Sequence, residues 1–565
     1  MTTWRGLAAW AVGLVLANVG LFVWLSAGRP DPAAGDIVTV WRQGARVGRE
    51  VTRRNPLEAL ASEAAVPGTT RVLEHVSSQG RVLSLGRRLF GWSFVAGRDG
   101  VRATLDGRDA FLTPDDLRQA GLYRTLGVDA DGVLDHLARA LGVSADQLWR
   151  DGRFRRFTVT RTVFASAAPQ GAAGGPVVRD ATPTGARLTE AIKEAAGHLA
   201  RRSLPDGRFA ESADAASGTP RPELSWSVHA EVVRFITAAS EHFDDVQIQI
   251  VAQRAGSVMR TDGTRACGAQ TCIGDGERVE IQPSALALLA YCELAPGRVG
   301  RTFRELIAPL AAFLRTQQRR DGGFAAGYDR ARGQPTNDER GDFDADAVLA
   351  LARAHRITHD PADLDAAVRG LAHLVSRPAF FGARDTLTET GARICEAADE
   401  LSTKAPLPRA LAFCLDWTET GAYLQVDGRG PVPELAGGFA RTFPAWMPDL
   451  RVTADRAEGG TAVLAAALRA GQGYHSLVPL GQRVTRAFEL LLRAQLPGAS
   501  PHLLRDPAAV AGGFATTATD LDARLDATAA AGSAMLRYLR LLEARGLPAP
   551  PSHRARSKDS PAAAR

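Results

Sequence analysis

The sequence predicts a mainly α-helical protein whose larger part is an (α/α)6-type toroid, preceded by one transmembrane helix and a small α+β domain. Two regularities indicate the toroid: amphipathic helical segments fill residues 187–544, and a Gly–Phe turn recurs between them. A chain of 565 residues is too long for one ordinary core, and 45% hydrophobic with 23% charged residues is typical of folded protein. The predicted order is a membrane segment (1–28), an α+β domain (36–165), a linker (166–186), the toroid (187–545) and a disordered tail (546–565).

The first predicted element is a membrane helix over residues 7–25. This stretch carries no charge, its main polar interruption is Asn18, and Trp4 and Trp24 flank it where interfacial aromatics are expected. It therefore predicts a single-pass signal-anchor with the soluble portion in the periplasm or otherwise outside the cytoplasm. A cleaved signal peptide ending near residues 26–28 is the alternative. Arginines on both sides of the segment leave the orientation open, because a basic cluster can also contact headgroups from the cytoplasmic side.

The second predicted element is the α+β domain over residues 36–165, where short mixed elements replace the helical period. Strands are expected at 101–107 and 154–164, with a helix at 129–142 between them. No motif in this domain suggests chemistry. The Ala-, Gly- and Pro-rich stretch that follows has no apolar period and predicts a linker.

The toroid is predicted from helices and turns together. The turn appears as DGRF (206–209), DGGF (321–324), GGF (437–439) and GGF (512–514), each followed by an acidic–apolar pair that opens a helix. A pair of amphipathic helices cannot bury its apolar stripe alone, so closing the pairs into a ring gives every stripe a neighbour. Eleven helical segments are recognisable, close to the twelve of six hairpins: 187–202, 224–242, 281–294, 301–318, 343–355, 362–375, 389–401, 408–423, 454–470, 474–495 and 521–543.

These residues resemble the α/α-toroid superfamily, which includes terpenoid cyclases, protein prenyltransferases, six-hairpin glycosidases and the helical domain of glucuronyl C5-epimerases. FLRTQQRRDGGF at 313–324 is similar to the Gln-containing helix end and Gly–aromatic turn of those proteins, and 491–514 is a looser copy. The resemblance covers residues 187–544 and points to no single family. It implies the ring, and it implies a central funnel surrounded by the N-terminal ends of the inner helices.

Acidic residues at the predicted helix starts are the catalytic candidates. Asp342 and Asp346 are four residues apart and share a helix face, as do Asp522 and Asp526, and paired carboxylates can divide acid and base roles. Helix capping is the alternative explanation, because Asp is favoured at helix N-termini without any substrate. Glu396 and Asp399 are interpreted as a solvated helix face. The catalytic candidates are Asp342, Asp344, Asp346, Asp522 and Asp526, and the substrate-binding candidates are His229, Phe324, Tyr328 and Phe514.

The cysteines and the missing motifs narrow the function further. Cys267 and Cys272 in CGAQTC form either a small disulfide or two free thiols, whereas Cys292, Cys395 and Cys414 are expected in the core. No metal site and no cofactor is predicted, since zinc-ligand spacings, a P-loop and a dinucleotide-binding fingerprint are missing. The pI near 9.3 comes from dispersed arginines, so no nucleic-acid partner is predicted.

The resulting hypothesis is a membrane-anchored toroid that binds or processes an envelope or extracellular polysaccharide through acidic residues at its mouth. If it is an enzyme, it is a carbohydrate-active hydrolase, lyase or epimerase. One alternative is a non-catalytic scaffold. Another is a terpenoid cyclase-like isoprenoid enzyme, since DFDADAV (342–348) looks like the Asp-rich protonating motif, although Ala345 replaces its second Asp and aromatics are only 6% of the chain.

Overall fold

The structure is a computed structural model that divides the chain into two compact units. It describes residues 35–52, 69–165, 181–213, 220–221, 225–297, 300–376, 390–428, 432–441, 447–498 and 500–545. The predicted membrane helix at 7–25, most of the linker and the C-terminal tail lie outside these residues. Within the described part, no helix is both long and apolar enough to span a membrane.

The first unit is built on an antiparallel sheet with strand order β2-β1-β3-β8-β4-β5. The strands predicted at 101–107 and 154–164 are confirmed as β4 and β8, and the helix predicted at 129–142 is confirmed as α3, which Asp129 caps. The elements are β1 (Asp36–Arg42), β2 (Ala45–Thr52), β3 (Thr69–Gly80), α1 (Arg87–Trp92), β4 (Asp99–Leu105), β5 (Arg108–Leu112), α2 (Pro114–Gln119), β6 (Tyr123–Arg124), β7 (Gly127–Val128), α3 (Ala130–Leu141), α4 (Ala145–Asp151) and β8 (Arg153–Ala165).

Two short segments from far along the chain also belong to this first unit. Residues 500–506 and 519–521 pack with it, although the sequence placed them in the toroid. A buried polar contact fixes one of them, because His502 Nε2 lies 2.9 Å from Asp115 Oδ2 and both side chains are almost fully buried. Nothing local to residues 500–506 predicts a partner so distant in sequence.

The second unit is a ring of helical hairpins. Among its described residues, six helices form an inner ring in which each contacts the next and the last contacts the first. The inner helices are α6 (Trp226–Phe243), α8 (Ile281–Leu294), α10 (Gly341–Thr358), α12 (Gly391–Ser402), α14 (Leu450–Arg469) and α17 (Leu525–Arg545). Each packs against one outer helix, and these are α5 (Gly185–Arg201), α7 (Val246–Val258), α9 (Gly300–Gln317), α11 (Pro361–Ser376), α13 (Pro408–Gly421) and α15 (Tyr474–Ala494). The predicted toroid is confirmed by this closed ring.

Helix α7 is the one toroid helix that the sequence analysis omitted. Its first half, VQIQIV, alternates apolar residues with glutamine, which is a two-residue rather than a 3.6-residue period. The structure makes it an outer helix that exposes Val246 and Ile250, and Asp245 caps its N-terminus. The remaining short elements are β9 (Glu211–Ala213), β10 (Pro220–Arg221), β11 (Thr264–Cys267), β12 (Gln270–Ile273), β13 (Arg278–Glu280), β14 (Gly327–Asp329), β15 (Gln334–Pro335) and α16 (Pro507–Val510).

The four Gly–Phe turns, here called the seam turns, join neighbouring outer helices. The first glycine of each turn has a positive φ, between +85° and +97°. These glycines are Gly207, Gly322, Gly437 and Gly512. Gly512 lies against the carbonyl of Glu194 on α5, so a β-carbon there would collide with the backbone. Since α5 is the first helix of the ring, this last turn closes the circle. Gly322 and Gly437 pack in the same way on α11 and α15.

A glutamine at the end of the preceding outer helix completes three of the seam turns. The Gln318, Gln425 and Gln495 side-chain amides each donate one hydrogen bond to the glycine carbonyl of their own turn. Each also donates a second hydrogen bond to a carbonyl of the next outer helix, at 2.9 Å in all three cases. The glutamine therefore satisfies two backbone acceptors and fixes the spacing of successive hairpins.

Two disulfides lie in the toroid. One joins Cys267 to Cys272 across β11 and β12. The second joins Cys395 to Cys414, and both are buried, as the sequence analysis expected of core cysteines. Their pairing was not predicted. It arises because α12 and α13 form one hairpin, which brings the two apolar helix faces and their thiols together. Cys292 is free and buried.

Candidate functional site

The inner helices α6, α8 and α10 begin around one open cavity of about 620 Å³, here called the mouth cavity. The half-buried Trp226 and the buried Phe343 give it aromatic surface. The Trp226 indole donates to Asp275 at 2.8 Å, and the Arg340 guanidinium lies 4.4 Å from the Phe343 ring centroid. The charged residues of its lining are Asp275, Arg278, Glu280, Asp338 and Arg340.

The inner faces of the same helices continue below the cavity as charged residues. Glu231 follows the cavity residue Ser227 by four positions on α6, and Asp346 follows Phe343 by three on α10. Residues with these spacings lie one above the other on a helix. The floor of the mouth cavity therefore leads to two carboxylates one turn deeper in the ring.

These two carboxylates belong to a buried set of ion pairs, here called the lumen charge network. Arg393 on α12 is its hub, at 2.9 Å from Glu396, 3.3 Å from Glu231, 3.5 Å from Asp346 and 3.8 Å from Glu458. Among the described residues, every inner helix except α8 contributes to it. The network consists of Glu231, Arg234, Asp346, Arg393, Glu396, Asp399, Arg451, Asp455, Glu458 and Arg537. A separate set of ion pairs joins Glu293, Arg353 and Glu400 on α8, α10 and α12.

Asp346 is the member best suited to proton transfer. Burial raises its pKa to about 6, and the nearby Glu231 and Asp342 add to the rise, against the opposing effects of Arg393 and a hydrogen bond from Gln282. The Gln282 amide donates to Asp346 Oδ2 at 2.9 Å, which orients the carboxyl group. A carboxyl group with a pKa near 6 exchanges a proton readily near neutral pH, as a general acid or base requires.

Two glutamates of the network have their pKa values shifted in opposite directions. Burial alone would raise the pKa of Glu396, but Arg393 and Arg537 bring it down to about 2. Burial and the charge of Glu396 raise the pKa of Glu458. The ion pairs of Arg393, Arg234 and Arg537 with these two glutamates link α6, α12, α14 and α17.

The predicted catalytic aspartates do not all meet at one point. Asp342 and Asp526 both lie at inner-helix starts, but each is paired with the arginine two residues before it, Arg340 and Arg524. Asp526 also accepts the Ala527 backbone N–H at 2.9 Å. The N-cap of α10 is Arg340, with no side-chain cap hydrogen bond, so Asp342 is held by a local ion pair rather than by capping. Of the five aspartates, only Asp346 is shown inside the lumen charge network.

Asp344 and Asp522 take other positions. Asp344 is buried, but two residues correspond to about 200° around a helix, so it lies on a different face of α10 from Asp346. Asp522 precedes α17, and its charge acts on Arg202, which follows the end of the outer helix α5. The expectation that these two aspartates share a cavity with Asp346 therefore has no geometric support.

The predicted substrate-binding residues are buried away from the mouth cavity. Phe324 and Phe514 are fully buried within their seam turns, where the Phe514 N–H donates to Thr528 Oγ1. Tyr328 packs edge-on against Phe313. His229 Nε2 donates a hydrogen bond to the Ala255 carbonyl at 2.9 Å, and burial lowers the pKa of His229 to about 4. His229 nevertheless supports the cavity, because its ring packs against Trp226.

The sequence analysis missed most of the lumen charge network. Glu396 and Asp399 were interpreted as a solvated face, but Glu396 is 1% exposed and both pair with arginines. Asp455 and Glu458 on α14 offered a usable signal, since both acids stand within a helix whose described residues are otherwise nearly all buried. Glu231, Arg393 and Arg537 come from helices far apart in sequence, and no local pattern connects them.

Comparison with known proteins gives only similarities to solved structures at low sequence identity. No protein-family model and no curated protein matches this sequence. Among solved structures, a D-mannose isomerase is similar over 66% of this chain and 100% of its own, with 11% identity and a TM-score of 0.49. The cellobiose 2-epimerase of Spirochaeta thermophila covers 64% of this chain and 97% of its own, at 12% identity and a TM-score of 0.48. An inactive α-1,6-mannanase variant of Salegentibacter, in complex with α-1,6-mannotriose, covers 63% and 99%, at 11% identity and 0.47.

Proposed function

We propose that the toroid binds a carbohydrate in the mouth cavity and acts on it by acid–base chemistry through Asp346. One observation carries this proposal: an open cavity with aromatic and charged walls lies one helical turn above a buried carboxyl group of raised pKa. Its volume of about 620 Å³ falls within the range of small-molecule sites, roughly 300–1,000 Å³.

The chemistry of the cavity wall suits a sugar. A pyranose ring presents an apolar C–H face, which packs on aromatic rings such as Trp226 and Phe343. Its hydroxyl groups need donors and acceptors around the edge, and Asp275, Glu280 and Arg340 supply both. Because the wall holds charges of both signs, the cavity accommodates a neutral or an acidic sugar.

Asp346 and Glu231 provide an acid–base pair beneath that sugar. Arg393 lies between them, 3.5 Å from Asp346 and 3.3 Å from Glu231, and the negative charge of Glu231 favours the protonated form of Asp346. In a hydrolase or lyase, protonated Asp346 gives its proton to the departing glycosidic oxygen. In an epimerase, ionised Asp346 removes a proton from a carbon next to a carbonyl group. The proposal therefore covers a hydrolase, lyase or epimerase.

We further propose that the substrate is an envelope or extracellular polysaccharide and that the toroid lies outside the cytoplasm. Two observations support the compartment. The disulfides Cys267–Cys272 and Cys395–Cys414 are typical of an oxidising environment. The uncharged stretch at residues 7–25 is suited to a membrane anchor.

Binding and catalysis are tested separately. The purified protein is screened against neutral and uronic-acid oligosaccharides, and binding is measured by calorimetry for wild type, Trp226→Ala and Trp92→Ala. Trp92 is an exposed tryptophan of the first unit and serves as the matched control. We expect Trp226→Ala to weaken binding at least tenfold and Trp92→Ala to leave it unchanged. Equal affinity of Trp226→Ala and wild type for every bound sugar would contradict the mouth cavity as the site.

A non-catalytic scaffold is the second candidate. It is favoured by the pairing of Asp342 and Asp526 with neighbouring arginines, which is a structural role. Asp346→Asn separates the two functions, because it preserves the size of the side chain but cannot transfer a proton. Loss of turnover with retained binding supports the enzyme. Binding without turnover in wild type, on the same panel of sugars, supports the scaffold.

A further inference from the structure

One arginine of the toroid wall is buried without a carboxylate partner. Arg456 on α14 is 4% exposed, and its Nη1 donates to the Trp417 carbonyl at 3.1 Å. Its Nε and Nη2 have no hydrogen-bond partner, and no ion pair to Arg456 occurs among the described residues. The arginines of the lumen charge network, by contrast, are each bound to carboxylates. Burying a guanidinium that nothing neutralises is costly, so this side chain calls for a counter-ion.

An arginine at this position of the wall is unusual compared with the equivalent position of another inner helix. Thr453 accepts the N–H of Phe439 in one seam turn, and Thr528 accepts that of Phe514 in another. Counting three residues onward from these equivalent threonines gives Arg456 on α14 and Ala531 on α17. Ala531 is fully buried, as expected of a wall residue. The arginine therefore stands where the repeat otherwise places a small apolar side chain.

A small cavity lies against the free edge of this arginine. Its volume is about 20 Å³, which is room for a single water-sized particle. The Arg483 guanidinium also lines it, and the Nε of Arg483 likewise has no hydrogen-bond partner. Arg483 is paired with the exposed Glu419, which leaves the charge of Arg456 uncompensated. The remaining wall is mostly apolar and includes Trp417, Phe439, Leu480 and Val484; its one polar side chain, Thr418, donates its hydroxyl proton to the Leu415 carbonyl.

Two further contacts show that the guanidinium is held in place. It stacks 4.2 Å from the Trp417 ring centroid, and a β-carbon on Gly421 would collide with its Nη1. Burial lowers the pKa of Arg456 to about 9, still well above neutral pH, so the side chain stays charged. A fixed cation beside a cavity of atomic size selects a small anion rather than a phosphate or a carboxylate.

We propose that this cavity binds one monoatomic anion, chloride under physiological conditions, between Arg456 and Arg483. The ion accepts hydrogen bonds from Arg456 Nε or Nη2 and from Arg483 Nε and neutralises the buried charge. It thereby ties together α13, α14 and α15 behind the seam turn that contains Phe439. Its role is structural, and it is independent of the carbohydrate site proposed above.

The test measures thermal unfolding of the whole protein at constant ionic strength, with chloride or bromide replacing gluconate. We expect the Tm of wild type to rise with the logarithm of the halide concentration, by roughly 2–4 °C for each tenfold increase above the Kd. Arg456→Leu should lose this response. Arg234→Met is the matched control, because Arg234 is largely buried (12% exposed) but paired with Glu458. The Tm of this variant should be lower yet still respond to halide. A Tm of wild type that is the same in gluconate and chloride would overturn the proposal.

Diffraction keeps the proposal testable even if Arg456→Leu fails to fold. Crystals of wild type grown in bromide should show an anomalous peak about 3.3 Å from the Arg456 guanidinium nitrogens. A water at that position in bromide, or a carboxylate of the chain bound to Arg456, would overturn the anion site.

Discussion

The seam turns and the lumen charge network hold the same ring together in opposite ways. Each seam turn is local: a glycine and a phenylalanine, joined in three of the four turns by a glutamine, lie within a short stretch of sequence beside the next outer helix. The lumen charge network is the reverse, because Arg393 binds acids from Glu231 to Glu458 that meet only once the ring has closed. The wall of the toroid is thus specified by repeated local geometry and its centre by unique long-range pairs.

The largest effect is expected at the hub of the lumen charge network. Arg393→Met leaves Glu231, Asp346, Glu396 and Glu458 without their shared partner inside the ring. Breaking a buried ion pair on one side costs about 3–5 kcal/mol. We expect the free energy of unfolding in urea to fall by about that amount, or the toroid not to fold. A loss below ~1 kcal/mol would show that the network is not what holds the centre.

The seam turns are probed by a pair of glycines that share a backbone conformation. Gly512 and Gly471 have φ of +85° and +78°, but only a β-carbon on Gly512 meets another helix, whereas that on Gly471 points into open space. Gly471→Ala should cost about 1 kcal/mol for its conformation alone. Gly512→Ala adds overpacking and should cost ~1–3 kcal/mol more in urea unfolding. Equal losses of unfolding free energy in the two variants would mean that close packing of this turn on α5 does not stabilise the ring.

The pH dependence of stability tests the lumen charge network at Asp346. Its pKa rises on folding from 3.8 to about 6, so the folded state binds the extra proton and stability falls as the pH rises from about 4 to 6. The loss is at most ~3 kcal/mol, at ~1.4 kcal/mol per unit of pKa. Asp346→Asn should remove this decline, as measured by urea unfolding across the same pH range. If stability falls equally in wild type and Asp346→Asn, groups other than Asp346 cause the decline.

The smallest effect is expected for the glutamine of a seam turn. Gln495→Leu removes two donors, to the Ala191 and Gly512 carbonyls, and keeps much of the side-chain volume. Leaving buried acceptors unsatisfied costs about 1–3 kcal/mol. Gln482, an exposed residue of α15, is the control and should tolerate leucine within ~0.5 kcal/mol. If both substitutions lower the free energy of unfolding equally, the two hydrogen bonds of Gln495 do not stabilise the ring.

The contrast between local turns and long-range ion pairs also explains what the sequence could predict. The seam turns and eleven of the toroid helices follow from local signals, namely glycine next to phenylalanine and apolar residues at helical spacing. Helix α7 was not predicted, because apolar residues and glutamine alternate in VQIQIV as they do in a strand. At the site, Asp346 was within reach because it shares a face with Asp342 at four-residue spacing.

The rest of the site could not be predicted, for a physical reason. Arg393 and Glu231 are separated by 162 residues, and nothing in either segment reveals that they will be 3.3 Å apart. Trp226 looked like an ordinary helix start, and its role depends on β13 and β14 framing the cavity from other parts of the chain. The role of Asp344 stays a prediction: the acids cluster in the sequence, but the helical period places Asp344 on a different face of α10 from Asp346.

The most direct test of the proposed site is the titration of the Asp346 carboxyl carbon. Its NMR signal in protein labelled with 13C at aspartate is assigned by its loss in Asp346→Asn. The account predicts a midpoint near pH 6 that shifts when a sugar occupying the mouth cavity is added. A midpoint near pH 4, or one that the bound sugar leaves unchanged, would contradict a proton-transferring carboxyl group beneath that cavity.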